Sequence, residues 1–204
     1  MNDFSNLSAL QIDALKEIGN IGAGNAANAL SLMLNQKVDI TIPQIKVIPL
    51  EKVPDTLGGP ENIVVGILLR VEGSAPGSVM FLLPERQALD LVDMLMGRER
   101  GTSQNFGELE QSALKEVGNI LTGSYLNALA SFTKLSLLPS IPAIAKDMLG
   151  SIISIVLAEI GQFSDYALLI ETEFIDGEDG INSQFFLVPE PDSLTKILES
   201  LVIG

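Results

Sequence analysis

The sequence predicts an α+β fold: one mostly antiparallel central sheet flanked by helices, built from two tandem pseudo-symmetric halves. Three observations predict it. The chain matches itself in two stretches, each stretch opens with a long helical pattern, and each closes with strand, turn, strand and helix. At an offset of 99 residues, 6–43 lies over 105–142 without a gap, and 15 of the 38 positions are identical, including one continuous helical block. At an offset of 105, Ser78 to Glu85 resembles Ser183 to Glu190, so the second copy carries a six-residue insertion between its matched blocks. Repeat one is therefore expected at about 6–98 and repeat two at about 105–204. No linker rich in Pro, Gly or Ser separates them, which points to one domain over 1–204, and the short stretch 97–103 reads as a connecting loop.

Each element has its own signal. Ser8 and Gln11 form an expected capping box at the start of a helix running to about Leu34, with Leu10, Ala14, Leu15, Ile18 and Ile21 at helical spacing. Residues 107–134 predict its partner. Short strands are expected over 38–42 and 45–48, and a hairpin over 64–71 and 78–83, with Gly73, Pro76 and Gly77 in the turn. A helix begins at Pro84 or Glu85 and ends at Gly97. The second copy has its hairpin at 166–174 and 184–188, followed by a helix to the C-terminus. It also carries an extra helix over 147–160, marked by Met148, Leu149, Ile152, Ile153, Val156 and Ile160. The matching stretch of the first copy is broken by Pro49, Pro54, Gly58 and Gly59. Strand order does not follow from these patterns.

Composition narrows the chemistry. With no cysteine and no histidine, disulfides, thiol nucleophiles, the usual zinc sites and imidazole acid–base catalysis are excluded. Hydrophobic residues make up 47 %, enough for a real core. Twenty-six acidic against twelve basic residues give a formal charge of −14, which suits neither a phosphate backbone nor an anionic lipid surface. No nucleic-acid partner and no membrane association are expected. The start Met1-Asn2-Asp3-Phe4 lacks the basic and apolar regions of a secretion signal. Two uncharged runs, 18–36 and 117–133, are interrupted by Asn, Gly and Ser and are not expected to span a bilayer. The expectation is a soluble cytoplasmic protein.

The candidate site lies in the two long helices. Glu17 and Asn20, three residues apart, are neighbours on a helix surface, with Asp13 one turn earlier. Ser112, Glu116 and Asn119 repeat the arrangement. Around the first pair the helix is poor by propensity: Gly19, Gly22 and Gly24 together cost about 3 kcal/mol relative to alanine. Small residues there either let helices pack tightly or let a partner's surface approach. A carboxamide can hold and orient a water, and a carboxylate can pair with a partner's lysine. That suits a phosphoryl group already activated, with its metal already present, and not an inert phosphate monoester. An all-carboxylate metal site at Glu171, Glu173, Asp176, Glu178 and Asp179 is the other chemical reading, but Gly177 and Gly180 among them point to a solvated turn.

At these residues the chain resembles the CheC/CheX/FliY family of chemotaxis phosphatases over essentially its whole length. The family pattern is Asp or Ser, three residues, Glu, two residues, Asn, then twenty-two residues and Pro. Asp13, Glu17, Asn20 and Pro43 match it, as do Ser112, Glu116, Asn119 and Pro142. The resemblance implies hydrolysis of the aspartyl phosphate of the response regulator CheY, at two sites far apart on one surface. It implies that Glu17 and Glu116 pair with the regulator's active-site lysine while Asn20 and Asn119 align the attacking water. Asp13, Ser112, Pro43 and Pro142 take supporting places. The chain would need no cofactor of its own, Mg²⁺ being held by the regulator. The resemblance also implies a second partner, the receptor deamidase CheD, with Asp147 at the head of the extra helix as a candidate contact; the competing reading of Asp147 is an ordinary helix N-cap. The functional alternative is a non-enzymatic interaction module like the middle domain of the flagellar switch protein FliM, whose fold the family shares.

Overall fold

A computed structural model describes residues 7–35, 37–42, 44–56, 58–160, 166–176 and 179–202. The first half comprises α1 (Ala9–Leu34), β1 (Asp39–Thr41), β2 (Ile45–Pro49), a 3-10 turn (Leu50–Lys52), the one-turn helix α2 (Val53–Thr56), β3 (Ile63–Gly73), β4 (Gly77–Pro84) and α3 (Glu85–Leu95). The second half comprises α4 (Glu108–Thr133), β5 (Leu137–Pro139), β6 (Ala143–Met148), α5 (Leu149–Ile160), β7 (Tyr166–Asp176), β8 (Asp179–Pro189) and α6 (Pro191–Val202). The two halves thus run through their long elements in the same order. The expected α+β class is what the chain adopts.

Local chemistry sets the helix ends. The Ser8 hydroxyl accepts from the Gln11 backbone N–H at 3.2 Å, and the Gln11 side-chain oxygen Oε1 accepts from the Ser8 N–H at 2.9 Å, so the capping box satisfies two of the otherwise unpaired groups at the start of α1. In α4 the Glu110 carboxylate reaches back to the Gly107 N–H at 3.0 Å. Both helices stop where one residue turns left-handed, Asn35 at φ 52° and Lys134 at φ 60°.

All strand pairs are antiparallel. The sheet runs β1-β7-β8-β4-β3-β5, with β2 also on β7 and β6 also on β3. The short strands after each long helix therefore pair with the hairpin of the other half. The hairpins meet through β4 and β8, where Met80 faces Phe186 and Phe81 faces Phe185. This exchange explains why strand order was not legible: each hairpin is local, but every other pairing is distant in sequence.

Both faces of the central strands are covered, so they read as continuous apolar runs rather than alternating ones. One face contributes Val65, Ile67, Leu69, Val79, Phe81, Leu83, Leu168 and Phe185 to a core shared with the long helices, α3 and α6. The other contributes Val64, Met80, Leu82, Leu169, Phe186 and Val188 to a smaller core with Leu50, Val53 and α5. Among the described residues no helix is long and apolar enough to cross a membrane.

Two local expectations need correction. The extra helix starts at Leu149, not at Asp147, because β6 continues to Met148 in register with Ile63, placing Asp147 opposite Val64. The equivalent stretch of the first half is not without helix: Pro54 sits in the first turn of α2, where its missing N–H is no loss.

Candidate functional site

The motif helices α1 and α4 cross at a glycine. A Cβ on Gly22 would stand 2.4 Å from Cδ1 of Tyr125 and 3.0 Å from its Cα, so only glycine permits this approach. Tyr125 is buried and its ring lies 4.6 Å from that of Phe185. Gly19 faces Ile45 and Ile42, and Gly118 faces Ile67, each too close for a Cβ without movement of the isoleucine. These three glycines seat the motif helices on each other and on the sheet. Gly24 and Gly123 differ, since a Cβ there would meet nothing within 4 Å. Tight packing therefore accounts for Gly19, Gly22 and Gly118 but not for Gly24 and Gly123.

The helices turn the motif outward. Leu15 and Ile18 are buried, as are Leu114 and Val117, and this fixes the opposite face toward solvent. Asp13, Glu17 and Asn20 are exposed on α1, and Ser112, Glu116 and Asn119 are exposed on α4. Glu17, Asn20, Glu116 and Asn119 have no hydrogen-bond or ion-pair partner among the described residues. Asp13 lies 3.9 Å from Lys16, a surface pair of little energetic weight. In each half a carboxylate and a carboxamide therefore stand side by side on a rigid helix, with their hydrogen-bonding capacity open to an incoming surface.

The loop that follows each motif helix is tied to the other half's hairpin. In the second half, Ser140 donates its N–H to the Arg70 carbonyl at 2.8 Å, and its hydroxyl accepts from the Arg70 N–H at 2.9 Å. This clamps the loop that carries exposed Ile141 and half-buried Pro142. In the first half the Gln44 carbonyl accepts from the Glu171 N–H at 2.9 Å, and Lys46 bridges Gln44 and Glu171. Pro43 lies outside the described residues. A polar cleft beside Asn20, of about 250 Å³, is lined by Lys16, Ile42, Gln44 and Ile45; the motif spacing had not singled out Lys16 or Gln44.

Asp147 sits apart from both motif helices in the chain order, exposed near the end of β6. Its carboxylate accepts from the adjacent Met148 N–H at 2.7 Å. The first N–H groups of α5 are satisfied elsewhere: Leu149 donates to the Asn62 carbonyl at 2.8 Å and Gly150 to that of Pro60 at 2.9 Å. The N-cap reading of Asp147 is therefore corrected. Of the acids around the β7–β8 turn, Glu171 pairs with Lys46 at 3.2 Å and Glu173 accepts from the Thr41 hydroxyl at 3.3 Å. Asp176 and Asp179 face each other in register, and Glu178 lies outside the described residues. Among the described residues no group of three or more acids is placed to hold a metal ion.

Burial and hydrogen bonding shift two other groups. Burial pushes the Tyr125 phenol up to about 12, against a smaller opposing effect of the nearby Thr172 side chain, and the buried hydroxyl has no hydrogen-bond partner among the described residues. For Asp93, burial acts to raise the pKa, but the Ser103 hydroxyl and the N–H groups of Ser103, Gly101 and Thr102 together outweigh it and hold the carboxyl below its ordinary value. The Ser103 hydroxyl donates to Asp93 at 2.6 Å. Asp93 thereby anchors the loop leading into α4, a role no motif announced.

The antiparallel sheet and its covering helices share their fold with solved FliY and FliM structures. FliY from Thermotoga maritima superposes with a TM-score of 0.76 at 19 % identity, covering 97 % of this chain and 98 % of that one. The FliM middle domain from H. pylori gives 0.69 at 16 % identity over 95 % and 99 %. In sequence, the chain is 38 % identical to the CheY-P phosphatase CheC of Bacillus subtilis over 205 residues, 98 % of each protein. It is 36 % identical over 130 residues to the flagellar motor switch phosphatase FliY of the same organism, covering 63 % of this chain and 34 % of that one. The CheC-like family model matches residues 10–47 and again 109–145. The chain belongs to the CheC-like family.

Proposed function

We propose that this chain is a phosphatase of the phosphorylated response regulator CheY. The observation that carries the reading is the pair of exposed Glu–Asn faces, combined with near full-length similarity to a CheY-P phosphatase. The substrate is an acyl phosphate, so the chain needs only to position water against a group already activated and bound to the regulator's Mg²⁺. Asn20 and Asn119 each hold a water in line with the aspartyl phosphate. The water oxygen forms a bond to phosphorus as the phosphorus–carboxylate bond breaks, the aspartate leaves as carboxylate, and the water's protons pass to phosphate and solvent. Glu17 and Glu116 pair with the regulator's lysine and set the docking pose. Asp13, Ser112, Pro43 and Pro142 support the helix and its following loop, and the two repeats form two equivalent sites in one domain.

CheD is the second partner in this reading. It docks on the α5 side of the second half, where Asp147, Met148 and Ile155 are exposed. Because Asp147 does not cap α5, Asp147→Asn should weaken CheD binding without lowering the melting temperature; unchanged binding would remove Asp147 from the contact. The chain works in the cytoplasm with its regulator.

Decay of phosphorylated CheY in the presence of substoichiometric chain tests the main reading. Multiple turnovers are expected, with no hydrolysis of a generic phosphate ester when metal is added without regulator. Binding without turnover would instead favour the interaction-module reading.

A further inference from the structure

The outward face of each motif helix continues beyond the Glu–Asn pair in both directions, and what stands there repeats. At 100° per residue, Leu10, Asp13, Glu17, Asn20 and Gly24 fall within an arc of about 80°. Ninety-nine residues on, Leu109, Ser112, Glu116, Asn119 and Gly123 do the same. Leu10 is 67 % exposed and Leu109 56 %. A single exposed leucine needs no explanation, but two at the same helix position, each two turns before the glutamate, form a matched pair. The glycines four residues after each asparagine are equally matched. No side chain or backbone would meet a Cβ at Gly24 or Gly123, and neither has a left-handed φ. Packing and backbone conformation therefore do not require glycine there, and helix propensity opposes it.

We infer that each motif helix carries a docking strip for the receiver domain of the phosphorylated regulator, about 21 Å long at 1.5 Å per residue. Leu10 and Leu109 insert into an apolar patch of the receiver at one end. Gly24 and Gly123 admit its backbone at the other, where a side chain would hold the two surfaces apart. The inference rests on the phosphatase reading, and its occupant follows from continuity: the Glu–Asn pair lies between the leucine and the glycine on the same face.

Phosphate release is measured over a range of phosphorylated CheY for the wild type, for Gly24→Gln with Gly123→Gln, and for Leu10→Ser with Leu109→Ser. KM is expected to rise at least about tenfold in the glycine variant and about threefold in the leucine variant, with kcat falling less than KM rises. Glutamine is a better helix former than glycine, so the glycine variant is expected to melt no lower than wild type. An unmoved KM in either variant overturns the strip. So does a lowered melting temperature in the glycine variant, which would show a packing role. A wild type that releases no phosphate defeats the phosphatase reading itself, whereas normal wild-type turnover with unmoved KM in the variants defeats the strip alone.

Discussion

Gly22 and Gly24 are two residues apart on α1, yet the same substitution should shift stability in opposite directions. Alanine in place of glycine gains about 1 kcal/mol of helix propensity at either position. At Gly24 nothing opposes that gain, because the new methyl meets open space. At Gly22 it would lie 2.4 Å from the Tyr125 ring and 3.0 Å from the Tyr125 Cα. The ring cannot swing away freely: Tyr125 is 5 % exposed and packs on Phe185. Relief requires α1 and α4 to separate, and because the clash includes Tyr125 backbone the overpacking penalty falls in the upper part of the usual range, about 2–3 kcal/mol or more, which exceeds the propensity gain. For a chain of this size each kcal/mol moves the melting temperature by about 2–4 °C. Gly24→Ala is thus expected to melt about 3 °C higher, and Gly22→Ala lower by a similar amount or more. Thermal unfolding followed by circular dichroism measures both. Equal shifts of the same sign, or stabilisation by Gly22→Ala, would refute the helix contact as described.

Two further expectations concern pH. The Tyr125 phenol is held at about 12 when folded and ionises near its ordinary value of 10.0 when unfolded. Between these the unfolded state binds fewer protons, so stability should fall as pH rises, by about 2–3 kcal/mol in total. Tyr125→Phe should show a shallower decline in urea midpoints over that range, and parallel profiles would remove the buried phenol as its cause. Asp93 has the opposite sense: its stabilising contribution is present above the ordinary carboxylate pKa and lost as pH falls through the lowered one. Asp93→Asn is expected to lose about 2–3 kcal/mol at neutral pH, converging on wild type in acid; a constant difference across pH would show that charge is not what Ser103 recognises.

The candidate site was more legible than the sheet, for physical reasons. Capping at Ser8 and Gln11, the helix period through Leu15 and Ile18, and the turn between Gly73 and Gly77 are local, and each marks its element directly. Outward placement of Glu17 and Asn20 follows from the same period. Strand exchange between halves left no local trace, because the pairing of β2 with β7 and of β6 with β3 depends on surfaces far apart in the chain. Asp147 was misplaced because an acid before Met-Leu resembles a helix start, whereas pairing with Val64 draws it into β6 and the carbonyls of Pro60 and Asn62 take over the capping. The glycines divide along the same line. Their weak propensity is visible in the sequence, but only the neighbours of Gly22 and the open space at Gly24 show which glycine packing requires.

The most direct measurement is the rate of phosphate release from phosphorylated CheY with Asn20→Ala, Asn119→Ala and the two combined. Each single variant should retain part of the stimulated rate, and the two residual rates should sum to that of wild type. The combined variant should fall to the regulator's unassisted rate while its circular dichroism spectrum and melting temperature stay unchanged. A combined variant that still works at the wild-type rate would show that neither amide places the water.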